Sequence, residues 1–445
     1  MSNKKYILIV LLLSIAVHFS FFGRPAETVF DEVHFGKFVS AYYTGEYYFD
    51  IHPPLGKFMI ADFAKLSSFE PKYSFTNIGD KFPDNKYLAL RFLPTLAGTL
   101  LPLVIFLLIL ELGISRIAAF AGALLVVFDN ALLAQSRLML LDPFLLLFGF
   151  TSLLFYFKYT KNRHLNTKYL IPAAGFAGLA ISIKWTGLAF VALPLIIESY
   201  YCYIKLSYDN FMYHLKRMTL FLSIPLLIYF SVFALHFALL PKPGPGDAFM
   251  RPNFRENNLF KNIVNLNVEM YRSNQRLGAT HPYGSQWYSW PFAARPIFYW
   301  TDSNSSPQAS ENSKIYFLGN PIIWWSSTVA VLYGLWAYGL MGLKRMKSSF
   351  KVSTPFTILF AGYWLNLLPF IGIKRVMFMY HYLTALIFAI LMLVYLIDQH
   401  KNSRKLFTGI IIAAAAAFLF FAPLSYGLPL SDKAYSVRIW FSSWR

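Results

Sequence analysis

The chain is 445 residues long, 57% hydrophobic and 19% aromatic, with charged residues at only 14% and a mean hydropathy of +0.47. This excludes a soluble globular domain and points to a polytopic membrane protein. The formal charge of +19 does not argue for nucleic acid, because the lysines and arginines fall in short clusters between apolar runs and not on one soluble face.

The first segment, MSNKKYILIVLLLSIAVHFSFFG, is basic and then apolar like a signal peptide. No small-x-small cleavage site precedes Asp31, so a retained signal anchor is expected. A bilayer crossing needs roughly 20 apolar residues, and about eleven stretches qualify: 6–22, 88–110, 115–133, 140–157, 169–183, 187–204, 218–240, 321–342, 355–373, 377–397 and 406–424. If these alternate, Lys4/Lys5, the run Lys158 to Lys168, Lys205 to Arg217, Lys344 to Lys351 and Lys401 to Lys405 share one side, which the positive-inside rule makes cytoplasmic. The C-terminus is then outside. The lone Cys202 lies in an apolar run and provides neither an intramolecular disulfide nor a cysteine metal cluster.

Two extracytoplasmic loops are long, 23–87 and 241–320, and long loops in a compact protein are usually functional. Each holds a stretch expected to be an interfacial amphipathic helix, 55–66 in the first and 257–272 in the second, where Phe260, Ile263/Val264 and Met270/Tyr271 recur at helical spacing. The whole of 1–445 reads as one transmembrane catalytic domain, without internal repeat or low-complexity tract.

The stretch Asp31 to Lys57 packs Asp31-Glu32, His34, Asp50 and His52-Pro53-Pro54 into one loop at the end of the first span. The prolines stiffen the chain as it re-approaches the membrane, and a carboxylate beside rigid backbone there suits proton acceptance from an alcohol. Ionisable groups at membrane depth face an interior or a cavity. Arg91, Arg137 with Asp142, Lys184-Trp185, Lys374-Arg375 and His381-Tyr382 come from several spans and converge on the loop side, as binding a lipid-linked phosphate would require. Each cation taken singly is as well explained by snorkelling; the signal is the convergence. In the second loop, Thr280 to Pro291 is dense in rings, with His281, Tyr283, Trp287 and Trp290 as candidates for an acceptor or sugar groove together with His52, Asp142 and Trp185. Interfacial aromatic belts use the same residues. No HExxH, Walker loop, GxGxxG after a strand or Asp-rich cluster appears, so a cytosolic nucleotide-sugar site has no support.

The ordered set DEVHFGKF, FDIHPPLGK, LRFLPTLAG, SRLMLLDPF, IKWTG, HPYGSQWYSWPF, GNPIIWW and MYHYLTAL resembles the protein O-mannosyltransferase family of GT-C membrane glycosyltransferases, from residue 29 to about 390. The resemblance implies an all-α GT-C fold and transfer of mannose, with inversion, from polyprenyl-phosphate mannose to Ser/Thr hydroxyls of polypeptides on the extracytoplasmic face. It casts Asp31 as catalytic base, Glu32 as its acceptor-orienting partner and Arg91 as an arginine near the donor phosphate; His281 and His381 match motif histidines. No metal ligand or divalent-metal cofactor is expected, because the leaving phosphate is stable as an anion. Family members that act as dimers make a dimer an expectation too. Tyr380 replaces the first of two family histidines, Thr384 replaces a proline, and 241–320 has no room for the MIR domain that eukaryotic members insert. Those departures look bacterial, implying an inner-membrane protein with its site facing the periplasm and an undecaprenyl carrier, against an ER membrane and dolichol if eukaryotic. Two other readings stay open: a GT-C transferase acting on a lipid or envelope glycan, and, from another class, a transporter or lipid-binding scaffold.

Overall fold

The computed structural model describes residues 2–161, 167–204, 207–256, 258–276, 278, 280–302, 311–342 and 354–445. Every expected span falls on a helix: α1 (Asn3–Phe19), α4 (Leu88–Glu111), α5 (Arg116–Val127) with α6 (Asn130–Ser136), α7 (Asp142–Lys161), α8 (Thr167–Ile183), α9 (Ala189–Ile204), α10 (Tyr208–Leu239), α12 (Pro321–Gly342), α13 (Thr354–Leu367), α14 (Leu383–Asp398) and α15 (Ser403–Tyr426). By length and composition, seven of the described helices are able to cross a bilayer, or eight if the bent α5–α6 pair is one span. The expectation of eleven crossings is thus met in helices but not in full-length spans; α1, for one, has 17 residues. The basic cluster Lys344 to Lys351 lies outside the described residues.

The remaining α-helices among the described residues are α2 (Glu32–Thr44), α3 (Leu55–Leu66), α11 (Leu259–Arg276) and the short α16 (Asp432–Ser436). Segment 55–66 forms its helix as expected, and 257–272 does so shifted a few residues toward the C-terminus. Helix α14 is buried at every position from Leu383 to Val394 and makes the centre of the bundle. Helix α10 turns Leu222, Leu226 and Leu227 outward, as a lipid-facing helix does.

A break at Phe128-Asp129 bends α5 against α6 by 59°. Its cause is local: the Asp129 carboxylate caps α6 through the Leu132 N–H (2.9 Å) and accepts Trp324 Nε1 (2.7 Å) and the Asn320 N–H (3.2 Å), so the chain turns around one buried acceptor.

The all-helical expectation meets one departure among the described residues, a three-stranded antiparallel sheet ordered β1 (Ile297–Thr301), β2 (Asn312–Phe317), β3 (Pro429–Leu430). The two long loops interlock into one cap over this end of the bundle. The Tyr47 N–H donates to the Lys242 carbonyl (3.0 Å), the Lys242 N–H to that of Gly45 (2.9 Å), and the Gly246 N–H to that of Tyr47 (3.0 Å). Gly246 cannot be otherwise, since a Cβ there would stand 2.3 Å from the Tyr48 carbonyl carbon. From β1, Trp300 Nε1 reaches the Glu27 carboxylate at 2.8 Å.

Candidate active site

Phe30 is left-handed (φ +47°), and this turn starts α2 with Asp31 at its N-cap and Glu32 as its first residue. The two neighbouring carboxylates therefore point to different surroundings. Glu32 is fully buried and saturated. Its oxygens accept Arg91 Nε (2.8 Å) and Nη2 (2.6 Å), the Val29 N–H (2.9 Å) and the Met139 N–H (2.9 Å). Arg91, 1% exposed, gives its other N–H groups to the carbonyls of Gly23 (2.7 Å), Pro25 (2.6 Å) and Glu27 (2.7 Å). All five guanidinium donors are thus occupied. This corrects two expectations: Arg91 has no donor left for a phosphate, Glu32 has no lone pair left for an acceptor, and together they hold the first loop onto α4.

Arg137 is corrected likewise. Its guanidinium donates to the carbonyls of His18 (3.3 Å), Ser20 and Phe21 (2.5 Å) at the C-terminal end of α1 and covers the Tyr426 ring at 4.6 Å. That is a helix C-cap by a cation. Tyr382 is fully buried against Trp324 and Tyr363 inside the bundle and meets no phosphate route.

Lys184, Arg375, His381 and His52 do come together, around one end of a cavity of about 420 Å³. The rest of its wall is largely apolar, including Trp185, Leu188, Leu365, Phe370 and Ile373. Lys184 Nζ donates to both Asp142 oxygens at 2.8 and 2.9 Å and stands 5.2 Å from the Tyr380 ring. Arg375 is half-buried; Nη2 lies 3.4 Å from His381 Nε2, and Nε is buried without a partner. His52 is held well below its ordinary pKa by burial and then by Lys184 and Arg375, so it is neutral.

Asp31 is half-buried beside these charges. Burial pushes its carboxyl up to about 7; Lys184 opposes the rise, Asp142 and Asp50 add to it, and Arg375 opposes it more weakly. Such a carboxylate is a far better base near neutrality than an ordinary aspartate. Its first-loop companion Asp50 pairs with the fully buried Lys57, whose Nζ also donates to the His52 carbonyl at 2.8 Å.

With that arrangement in view, the likeness to known proteins is specific. A family profile described as dolichyl-phosphate-mannose-protein mannosyltransferase matches residues 8–241, and the C-terminal four-TMM region of protein-O-mannosyltransferase matches 259–444. The chain belongs to the protein O-mannosyltransferase family. Among curated relatives, dolichyl-phosphate-mannose--protein mannosyltransferase 4 of Schizosaccharomyces pombe is 36% identical over 267 residues, 57% of this chain and 34% of that protein. Protein O-mannosyltransferase 1 of Drosophila melanogaster is 33% identical over 255 residues, 55% of this chain and 29% of that one. The matches thus span about a third of these relatives' length. The S. cerevisiae Pmt1-Pmt2 complex bound to the sugar donor superposes with TM-score 0.91 at 20% identity, over 100% of this chain and 93% of that one. The Archaeoglobus fulgidus oligosaccharyltransferase gives 0.54 at 13% identity, over 98% of this chain and 57% of that one. ArnT of Cupriavidus metallidurans bound to undecaprenyl phosphate gives 0.52 at 12%, over 98% and 77%. These likenesses establish the GT-C fold.

Of the remaining candidates in this family member, Trp185 donates Nε1 to Tyr229 Oη at 2.8 Å while its ring lines the cavity. Trp290 is fully buried, donates to Ser285 Oγ (2.9 Å) and lies parallel to His381 at 5.8 Å; it supports the histidine and forms no open groove. His281 is exposed and meets the Phe378 ring edge-on at 5.0 Å; Tyr283 and Trp287 are half-buried away from the cavity wall, and Lys374 is exposed. Sequence reasoning left the Asp50–Lys57 pair, Gln135 and Tyr299 out of the candidate set. For the first, two opposite charges bracketing His-Pro-Pro in an apolar loop were the available signal; for Gln135, a polar amide inside an apolar run.

Proposed function

We propose that this chain transfers mannose from polyprenyl-phosphate mannose to Ser/Thr hydroxyls of polypeptides, with inversion at the anomeric carbon. The observation that carries the reading is the cavity: apolar along most of its wall, cationic at one end, with a carboxylate of raised pKa beside that end. An apolar wall takes a prenyl chain, the Lys184 ammonium and the Arg375 guanidinium take phosphate oxygens, and Asp31 takes the acceptor proton.

In the proposed step the acceptor hydroxyl oxygen bonds to the anomeric carbon as the bond from that carbon to the phosphate oxygen breaks. The electron pair leaves on the polyprenyl phosphate, whose new charge faces Lys184 and Arg375. The hydroxyl proton passes to Asp31 late, as bonding to the sugar advances. These two cations supply the neutralisation a divalent ion would otherwise bring, so the reaction is proposed to need no metal. An undecaprenyl carrier, a bacterial inner membrane with the loops on the periplasmic side, one catalytic domain over 1–445, and a dimer remain parts of the same proposal.

Purified full chain is assayed with labelled polyprenyl-phosphate mannose and a Ser/Thr-rich peptide in EDTA. Labelled peptide with wild type, reduced at least about a thousandfold by Asp31→Asn, is expected. Donor consumed without peptide labelling would move the acceptor to a lipid or glycan, and uptake by proteoliposomes without glycosyl product would sink the enzyme reading.

A further inference from the structure

A chain of contacts runs from the residue before the base to the cavity cation, through groups that carry no role in the reading above. Phe30 lies flat on Tyr299, ring centroids 4.1 Å apart. Tyr299 Oη donates to Gln135 Oε1 at 2.5 Å, and Gln135 Nε2 donates to Asp142 Oδ2 at 2.6 Å. Asp142 in turn holds Lys184 Nζ with both oxygens, at 2.8 and 2.9 Å. Tyr299 and Gln135 are almost fully buried, 1% and 2% exposed. The links belong to β1, α6, α7 and the turn after α8, so the chain ties the second long loop to three segments of the bundle.

An amide fits the middle of this chain at any pH. It must accept from a phenol with one atom and donate to a carboxylate with the other, and Asp142, an acceptor only, fixes which end is which. The bend at Asp129 is what brings the end of α6 to this point.

We infer that Gln135 is a positioning residue for transfer: it holds Asp142, and through it the Lys184 ammonium, at the phosphate end of the cavity in register with the Phe30–Asp31 turn. The inference rests on the reading that Lys184 meets the lipid phosphate. Lysine is a flexible point charge, and an ammonium held on a bidentate carboxylate keeps one aim only if that carboxylate is itself fixed. Loss of the amide should therefore lower turnover more than peptide binding.

A glutamate at 135 makes the test selective. When protonated it reproduces both bonds, its O–H donating to Asp142 and its carbonyl accepting from Tyr299; when ionised it puts a second negative charge against Asp142 and the bond fails. The groups facing it are Asp142 and Lys184, Tyr299 of β1, His18 of α1 on the same small cavity, and Asp31 and Tyr380, whose charges reach Asp142 and Tyr299. Transfer by the full chain in nanodiscs is measured from about pH 5.5 to about pH 8.5. The rate of Gln135→Glu relative to wild type should fall at least about tenfold across that range, and Gln135→Met should lose about 10- to 100-fold in kcat with peptide KM within about twofold. A constant Gln135→Glu to wild-type ratio, or Gln135→Met within about twofold of wild type, overturns the inference alone. A wild type inactive throughout overturns the transfer reading and the inference with it.

Discussion

Two buried ion pairs stand close together in this protein and do different work. In Glu32–Arg91 every N–H has a carbonyl or carboxylate and every carboxylate oxygen has its donors. Around Asp142–Lys184, by contrast, Arg375 leaves Nε without a partner and faces a cavity. A charge whose hydrogen bonds are all internal can only hold the fold; a charge with donors left over can meet a ligand. The same contrast divides the adjacent acids, since Glu32 is closed off and Asp31 keeps a carboxylate that titrates near neutrality.

Substitutions on either side should separate stability from turnover. Arg91→Met leaves Glu32 buried and unpaired and frees three carbonyls, so it should cost about 3–5 kcal/mol of stability. Thermal unfolding in detergent checks this, and a normally stable but inactive Arg91→Met would return Arg91 to the phosphate. Arg375→Met should do the reverse: unfolding within about 1 kcal/mol of wild type, and kcat/KM for the lipid donor reduced roughly a hundredfold. Equal effects of the two substitutions on stability would erase the contrast.

The smallest expected effect lies in the pH profile. Ionised Asp31 is the base, so kcat/KM should fall as pH drops through about 7. Arg375 lowers the Asp31 pKa and Asp50 raises it, so Arg375→Met should move this limb to higher pH and Asp50→Asn to lower pH. Each shift should be a fraction of a unit, read from kcat/KM against pH. Limbs that stay fixed in both variants would separate Asp31 from the observed titration.

Hydropathy and the aromatic and charged composition settled the membrane class and placed every helical span, because an apolar run of bilayer length has few other uses in water. Ordered motifs gave the family and cast Asp31 and His381, while the convergence of charges at span ends nominated Lys184 and Arg375. The partner of each charge was decided by tertiary structure. Arg91, Arg137 and Arg375 are alike as letters near span ends, yet Arg91 is saturated by Glu32 and three backbone carbonyls, Arg137 is tied to carbonyls at the end of α1, and Arg375 lines the cavity with its Nε unpartnered. Gln135 shows the same limit from the other side: the sequence marks it only as a polar amide inside an apolar run, and its partners follow only because a bend at Asp129 carries it between Tyr299 and Asp142. Burial and periodicity are properties of a segment and are written in it. Hydrogen-bond saturation is a property of contacts between segments distant in the chain, and it exists only once they are packed together.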